Sequence, residues 1–214
     1  VQTLIDMLAL TSGWELVAVA LAVAYLLLAI RQSLWCWPAA AISASIYTYL
    51  FIHAGLLMES MLQVFYVVMA GYGYWRWSRA QRPMIAGSVV TNAPTLPVAS
   101  QTLMWHARWV VVLALISVVI GLLLSRYTSA QMVWLDTPTT VFSLFATFLV
   151  ARKVLQNWLY WIVIDLTYVG LFWVKGFYPT AILFGFYTLM AVIGYLRWRQ
   201  DYQQQGVDVE PQPT

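Results

Sequence analysis

Of the 214 residues 62% are apolar and only 9% are charged, and mean hydropathy is +0.75, a balance that a soluble domain with a polar surface does not show. The formal charge of +3 gives no reason to invoke nucleic acid as a partner. The single cysteine, Cys36, excludes an intramolecular disulfide, has no partner spacing for a metal site and reads as a small packing residue.

Lipid is therefore the expected solvent for most of the chain. Residues 1 to 13 carry no basic region ahead of a small-residue cleavage site and read as a short lead-in. A bilayer core of about 30 Å takes about 20 mainly apolar residues per helical span. Runs of that kind lie at roughly 14–30, 35–52, 56–76, 106–124, 136–151, 158–174 and 178–196, which predicts an all-α integral membrane protein with seven transmembrane helices. Between the third and fourth runs, Ser78 to Gln101 holds Pro83, Pro94 and Pro97 among Ser, Asn and Thr, and reads as a linker. The fifth run is short and contains Thr139, Thr140, Ser143 and Thr147, residues suited to close helix packing rather than to lipid. Asp201 to Thr214 is expected to be a disordered cytoplasmic tail.

Sliding the chain against itself by 121 positions aligns residues 31–79 with 152–200 without a gap, giving 16 identities in 49 columns. Among them are Arg31 with Arg152, Trp37 with Trp158, Tyr47 with Tyr168, Gly55 with Gly176, Tyr66 with Tyr187 and Gly73 with Gly194. Rare Trp, Arg and Gly columns in one register are not an effect of apolar composition. The same offset pairs Glu15 with Asp136, so the unit is three helices, at 14–79 and 135–200. Three is odd, and the single span at 106–124 returns the second copy to the orientation of the first. The expected architecture is 3+1+3 with two parallel three-helix repeats in a single membrane domain over 1–200, a plan that transporters use.

Nine basic residues, Arg31, Arg76, Arg79, Arg82, Arg108, Arg152, Lys153, Arg197 and Arg199, fall on one side of this topology, and Arg126 and Lys175 on the other. The positive-inside rule then places the N-terminus outside and the C-terminus in the cytoplasm. Tyr74, Trp75, Trp77 and Trp198 sit beside the cytoplasmic arginines and read as an interfacial aromatic belt, and His53 and His106 near span ends read as interfacial too.

In the sixth run Trp158, Trp161, Asp165, Tyr168 and Phe172 recur at three and four residues, along one helical face. A carboxylate at mid-bilayer depth costs about 2.5–3.5 kcal/mol on insertion scales. Asp165 should therefore face a cavity or partner, or else serve as a hydrogen-bonded packing residue. No Lys or Arg lies at its depth, so an anion between aromatic faces suits an organic cation, held by charge and by cation-π contact. A metal would ask for more carboxylates or imidazoles, and neither a metal nor a cofactor is expected. The third run offers Glu59, Gln63 and Tyr66 in a similar stripe. Gln63 is suited to a polar substrate or to an interhelical hydrogen bond, and Glu59 lies close to the outer interface. The matching stripe of the seventh run is Thr180, Phe184 and Tyr187. In the alignment Asp165 stands opposite Ala44 and Phe184 opposite Gln63, so the candidate site is asymmetric on a symmetric scaffold.

The string from Arg152-Lys153 through Asn157-Trp158, Trp161 and Asp165 to Tyr168, with Asp136, Thr140, Ser143 and Ala146 ahead of it, resembles the PnuC family of vitamin transporters. Leu62 to Tyr66 and Tyr72-Gly73-Tyr74 with Trp77 resemble its third helix. The resemblance covers nearly all of residues 14–200. It implies a 3+1+3 fold, often a homotrimer, in the bacterial inner membrane. It further implies facilitated diffusion of nicotinamide riboside, trapped inside the cell by phosphorylation; thiamine or riboflavin is the cargo of related members. Carried over by position, it points to Asn157, Trp158, Trp161, Asp165, Tyr168, Gln63 and Tyr66 as substrate contacts. Ala70 stands where the family often has Asn, which leaves room for a different vitamin.

A seven-helix retinal protein is the alternative from another class, but it needs an embedded lysine, and Lys153 and Lys175 both lie at span ends. No HExxH, GxSxG or pair of intramembrane aspartates suggests an enzyme.

Overall fold

The computed structural model describes residues 13–55, 57–80, 84–86, 89–91, 96–127 and 132–207. The expected lead-in, up to residue 12, and residues 208–214 of the expected tail lie outside them, as does much of the linker. The helices are α1 (Gly13–Ile30), α2 (Cys36–His53), α3 (Leu57–Ala80), α4 (Leu103–Tyr127), α5 (Val133–Ala151), α6 (Asn157–Val174) and α7 (Tyr178–Val207). Each expected apolar run thus becomes a helix. Five of these helices, α1, α4, α5, α6 and the Tyr178–Gln205 part of α7, are long and apolar enough to cross a bilayer, and the chain is a multi-pass membrane protein. In α2 and α3 the tyrosines, tryptophans and small polar residues lower the mean hydropathy, and these two do not reach the same standard.

Two expectations need correction. The stretch after residue 200 was to be disordered, yet α7 runs on to Val207. After Pro179 in its first turn no Pro occurs before Pro211, and the glutamines that follow Tyr202 are good helix formers, so the apolar span carries its polar extension with it. The linker is not wholly irregular either. It contains two short antiparallel strands, β1 (Met84–Ala86) and β2 (Val89–Thr91), in the register Met84 to Thr91.

The chain divides into two compact units, Val1–Leu96 and Pro97–Thr214. In unit one α2 packs on both α1 and α3; in unit two α5 packs on α4 and α6, and α6 on α7. The polar fifth run forms the inner helix of unit two. Over half of its apolar window, 56%, is buried, against 17–22% for the other candidate spans. Its Val141, Phe145 and Leu149 meet Leu113 and Val154 in an apolar core, with Trp105, Phe142, Phe148 and Tyr160 packed against it.

Local geometry recurs between the units at the 121-residue offset. The turn from α1 to α2 places Gln32 at φ 55°, and the turn from α5 to α6 places Lys153 at φ 51°, a left-handed conformation uncommon outside glycine. The same amides close both turns: Gln32 donates to Ala29 O at 3.0 Å and Lys153 to Val150 O at 2.9 Å, and Cys36 to Ser33 O and Asn157 to Val154 O, each at 3.1 Å. Gly55 (φ 74°) and Gly176 (φ 79°) end α2 and α6 in the left-handed cap that glycine adopts without a Cβ penalty.

The tryptophans follow the same rule, and here the expected belt is half wrong. Trp77 and Trp198 are buried, at 1% and 0% exposure, and so do not sit at an interface. Trp77 meets Trp37 edge to face at 5.3 Å, and Trp198 meets Trp158 likewise at 5.5 Å. Each inner indole lies on a glycine of the facing helix, Trp37 on Gly73 and Trp158 on Gly194, where a Cβ would collide with the ring. Tyr74 and Trp75 are exposed, with the Arg79 guanidinium 4.4 Å above the Trp75 ring, as a belt requires.

The end of the linker is fastened to unit two. The Ala99 amide donates to Lys153 O at 2.9 Å and the Leu155 amide donates to Ala99 O at 2.8 Å. Gln156 adds Nε2 bonds to Ser100 Oγ at 2.7 Å and to Gln101 O at 3.2 Å, and its Oε1 accepts from the Gln101 amide at 3.3 Å. These bonds hold the segment on the turn that leads into α6.

Candidate functional site

Helix α6 carries five of the nine candidate residues, and the structure gives them different surroundings. Asn157, its first residue, has no exposed surface; its Nδ2 donates to Val154 O at 2.7 Å, while Oδ1 has no partner among the described residues. Trp158 is buried between Gly194 and Trp198, and its indole N–H is unpartnered too. One turn further, Trp161 is half-buried. Asp165 lies eight residues beyond Asn157, about 12 Å along the axis at 1.5 Å per residue. It is buried, at 7% exposure, and among the described residues no donor or cation meets its carboxylate.

Around Asp165 the structure does gather side chains. Tyr168 follows Asp165 by one turn on the same helical face, and Tyr187 of α7 lies near enough to sense the Asp165 charge. The Tyr168 ring stacks on Phe172 at 6.0 Å and lies tilted against Phe184 at 4.8 Å, and Phe172 and Phe184 stack on each other at 5.6 Å. Tyr187 meets Phe184 edge to face at 5.9 Å. The Tyr168 hydroxyl lies 2.9 Å from Thr139 Oγ1 on α5. A buried carboxylate flanked by half-buried rings offers an anion and π-faces together, the two groups that hold an organic cation away from water.

Asn157 and Trp158 stand apart from that group, at the start of the helix. In this conformation neither offers surface to a solute, and Trp158 does in unit two what Trp37 does in unit one. The three remaining candidates lie on α3 of unit one: Gln63 and Tyr66 are half-buried, and Glu59 is exposed.

Two kinds of residue escaped the choice made from sequence. Thr139 read as a packing residue, yet it fixes Tyr168; the signal was its alignment with Ala18, the same divergence that marks Asp165 against Ala44. Phe172 and Phe184 were noted on the right faces but not as contacts. A second feature of unit two had no signal at all: an apolar groove of about 670 Å³ along α4, α5 and α6, ending at His106, Gln156 and Tyr160. His106 Nδ1, near the start of α4, lies 3.0 Å from the Tyr160 hydroxyl of α6. None of the nine candidates lines the groove.

Helices suited to crossing a bilayer define a polytopic membrane protein, and a buried acid set among aromatic rings is the kind of group that meets a solute within it. The nicotinamide mononucleotide transporter family model matches residues 12–200, nearly the whole chain, and the chain belongs to that family. Its curated relatives include the nicotinamide riboside transporter PnuC of Escherichia coli, 26% identical over 186 residues that cover 77% of this chain and 76% of that protein. The riboflavin/roseoflavin transporter RibM of Streptomyces davaonensis is 25% identical over 176 residues, covering 81% and 78%. Among solved structures, the vitamin B3 transporter PnuC superposes with a TM-score of 0.71 over 95% of this chain and 87% of its own, at 21% identity, a likeness that establishes the fold. These are transporters rather than enzymes, and the chain is a membrane transporter.

Proposed function

We propose that this protein imports a cationic vitamin precursor by facilitated diffusion, with nicotinamide riboside as its substrate and intracellular phosphorylation trapping the product. The observation that carries this reading is Asp165, a buried carboxylate with no compensating cation, set beside Tyr168 and Tyr187. The fixed positive charge of a nicotinamide ring supplies the missing counterion, and its flat face suits the aromatic surroundings. Trp161 lies on the same face of α6. The relative named for nicotinamide riboside transport supports the same substrate. Thiamine, which also carries a cationic ring, fits the acid equally well.

The proposed architecture is a single membrane domain over 1–200 with seven spans in the 3+1+3 order. The recurrence at 121 residues supports it, because α2 and α3 are the counterparts of α6 and α7, which do qualify as spans. The proposed setting is the bacterial inner membrane, as a homotrimer with the N-terminus outside and the C-terminus in the cytoplasm; the charge bias and the family resemblance support it.

Proteoliposomes test the function directly. The reconstituted protein should equilibrate labelled nicotinamide riboside without an ion gradient and show counterflow, and Asp165→Asn should lower uptake at least tenfold, as loss of a buried charge pair would. Uptake that requires a proton gradient, or that survives Asp165→Asn unchanged, would overturn the mechanism. The relative named for riboflavin and roseoflavin, at nearly the same identity, favours one second reading: a neutral, larger ring carried on the Phe172 and Phe184 faces. Competition by riboflavin with no effect of thiamine would select it.

A further inference from the structure

The helical pair Tyr168 and Phe172 has a counterpart in unit one. Tyr47 stacks on Phe51 at 5.5 Å with 28° between planes, and Tyr168 on Phe172 at 6.0 Å with 22°. The offset is again 121 residues, so this aromatic pair belongs to the scaffold. What differs is the setting. Position 18 is Ala and position 139 is Thr, position 44 is Ala and position 165 is Asp, and position 63 is Gln where position 184 is Phe.

Each change acts on the same ring. Phe184 brings a third aromatic face, 31° from the plane of Tyr168 and 17° from that of Phe172. Thr139 decides the hydroxyl. Its Oγ1 lies 2.9 Å from Leu135 O and 3.0 Å from Asp136 O. Carbonyls only accept, so the one Thr139 proton is directed to them, and Oγ1 is left as an acceptor toward Tyr168. By distance alone either hydroxyl could donate in the 2.9 Å contact; with the Thr139 proton on the carbonyls the donor is Tyr168, whose own oxygen is then an acceptor. Asp165, three residues earlier on the helix, presents acceptors as well.

We infer that Thr139 is a positioning residue that commits the Tyr168 proton, and that Phe184 is a ring contact. Together they make unit two select a flat aromatic ring carrying hydrogen-bond donors, such as hydroxyls or an amide NH₂. This rests on the functional reading above and specifies what its site recognises. An acceptor-rich site discriminates against ligands that present only acceptors, because two facing acceptors leave both unpaired.

The test is direct binding by calorimetry on the purified full-length protein, with nicotinamide riboside, thiamine and riboflavin as probes. Thr139→Val keeps the shape and removes the acceptor. It should weaken the bound vitamin about fivefold to tenfold, the worth of one hydrogen bond. Thr139→Ser should return affinity to within about twofold. Since Thr139 acts through the Tyr168 hydroxyl, the Thr139→Val/Tyr168→Phe double variant should bind no more weakly than Tyr168→Phe alone. Phe184→Leu should weaken the vitamin while leaving the thermal midpoint within a few degrees of native. Native binding with an unaffected Thr139→Val, or additive losses in the double variant, overturns this inference alone. Binding of none of the three vitamins overturns it together with the functional reading.

Discussion

Replacing Gly194 by alanine would set a methyl carbon 2.7 Å from Trp158 Cε2 and 2.8 Å from Cδ2 and Cε3. The indole cannot retreat, because Trp198 holds it edge to face at 5.5 Å and it is only 2% exposed. Two effects compete. Alanine gains about 1 kcal/mol over glycine in a helix interior, while forcing extra volume into a filled core costs about 1–3 kcal/mol. Gly185, on the same helix, isolates the first effect, since a Cβ there meets nothing within 4 Å. Gly185→Ala should hold or raise the thermal midpoint, and Gly194→Ala should lie below it by the overpacking cost. At about 2–4 °C per kcal/mol for a chain of this size, the gap is roughly 2–12 °C. Tryptophan fluorescence during thermal unfolding of detergent-solubilised protein measures it. Adding Trp158→Phe to Gly194→Ala should recover part of the loss, which a general helix defect would not allow. Equal midpoints for the two alanine variants would refute the close-approach argument, and with it the account of why Gly73 and Gly194 are both glycine.

Gln156→Ala removes three bonds between the linker end and the turn into α6. Because the site is only partly buried, the combined cost should be about 1–2 kcal/mol, and hydrogen exchange at the Ala99 and Leu155 amides should rise as the segment loosens. Unchanged protection would mean that the two backbone bonds hold the segment alone. Asn157→Cys copies the residue that unit one has at the equivalent position, where Cys36 is also fully buried. Asn157 keeps an unpartnered Oδ1 at a cost of about 1–3 kcal/mol, so the variant should match or exceed native thermal stability. A clear loss of stability would show that the Nδ2 bond to Val154 O outweighs the orphan acceptor.

The sequence located the seven helices of the described residues because each apolar run is bounded by turns, and the 121-residue register marked residues that proved to share geometry. It could not separate the roles of tryptophans within that register. Trp77 and Trp198 stand beside arginines, as an interfacial belt would, and only the packing of Trp37 and Trp158 onto glycines shows that they are core. The local signal was available as a glycine four residues before each tryptophan. The fastening of Ala99 to Lys153 had no such signal, since backbone pairing between residues 54 apart leaves no pattern in side-chain chemistry. Legibility of the site was uneven for the same reason. Asp165 announces itself as a charge in an apolar run, whereas Thr139 is one of several hydroxyls on a helix that packs closely.

The recurrence at 121 residues makes divergence informative. Positions that make the fold face the same requirement in both copies, and they kept the same residue: glycine beneath the indole, tryptophan against tryptophan, glycine in the left-handed cap. A position that binds a solute faces no such requirement in the copy that lacks the solute. Ala44 and Ala18 are small and buried in unit one, where an acid or a hydroxyl would need a partner to offset its desolvation. Asp165 and Thr139 stand at the same depth in unit two. Thr139 meets that need through backbone carbonyls and the Tyr168 hydroxyl. Asp165 has no such partner among the described residues, so of the two positions it is the one whose desolvation is left uncompensated there.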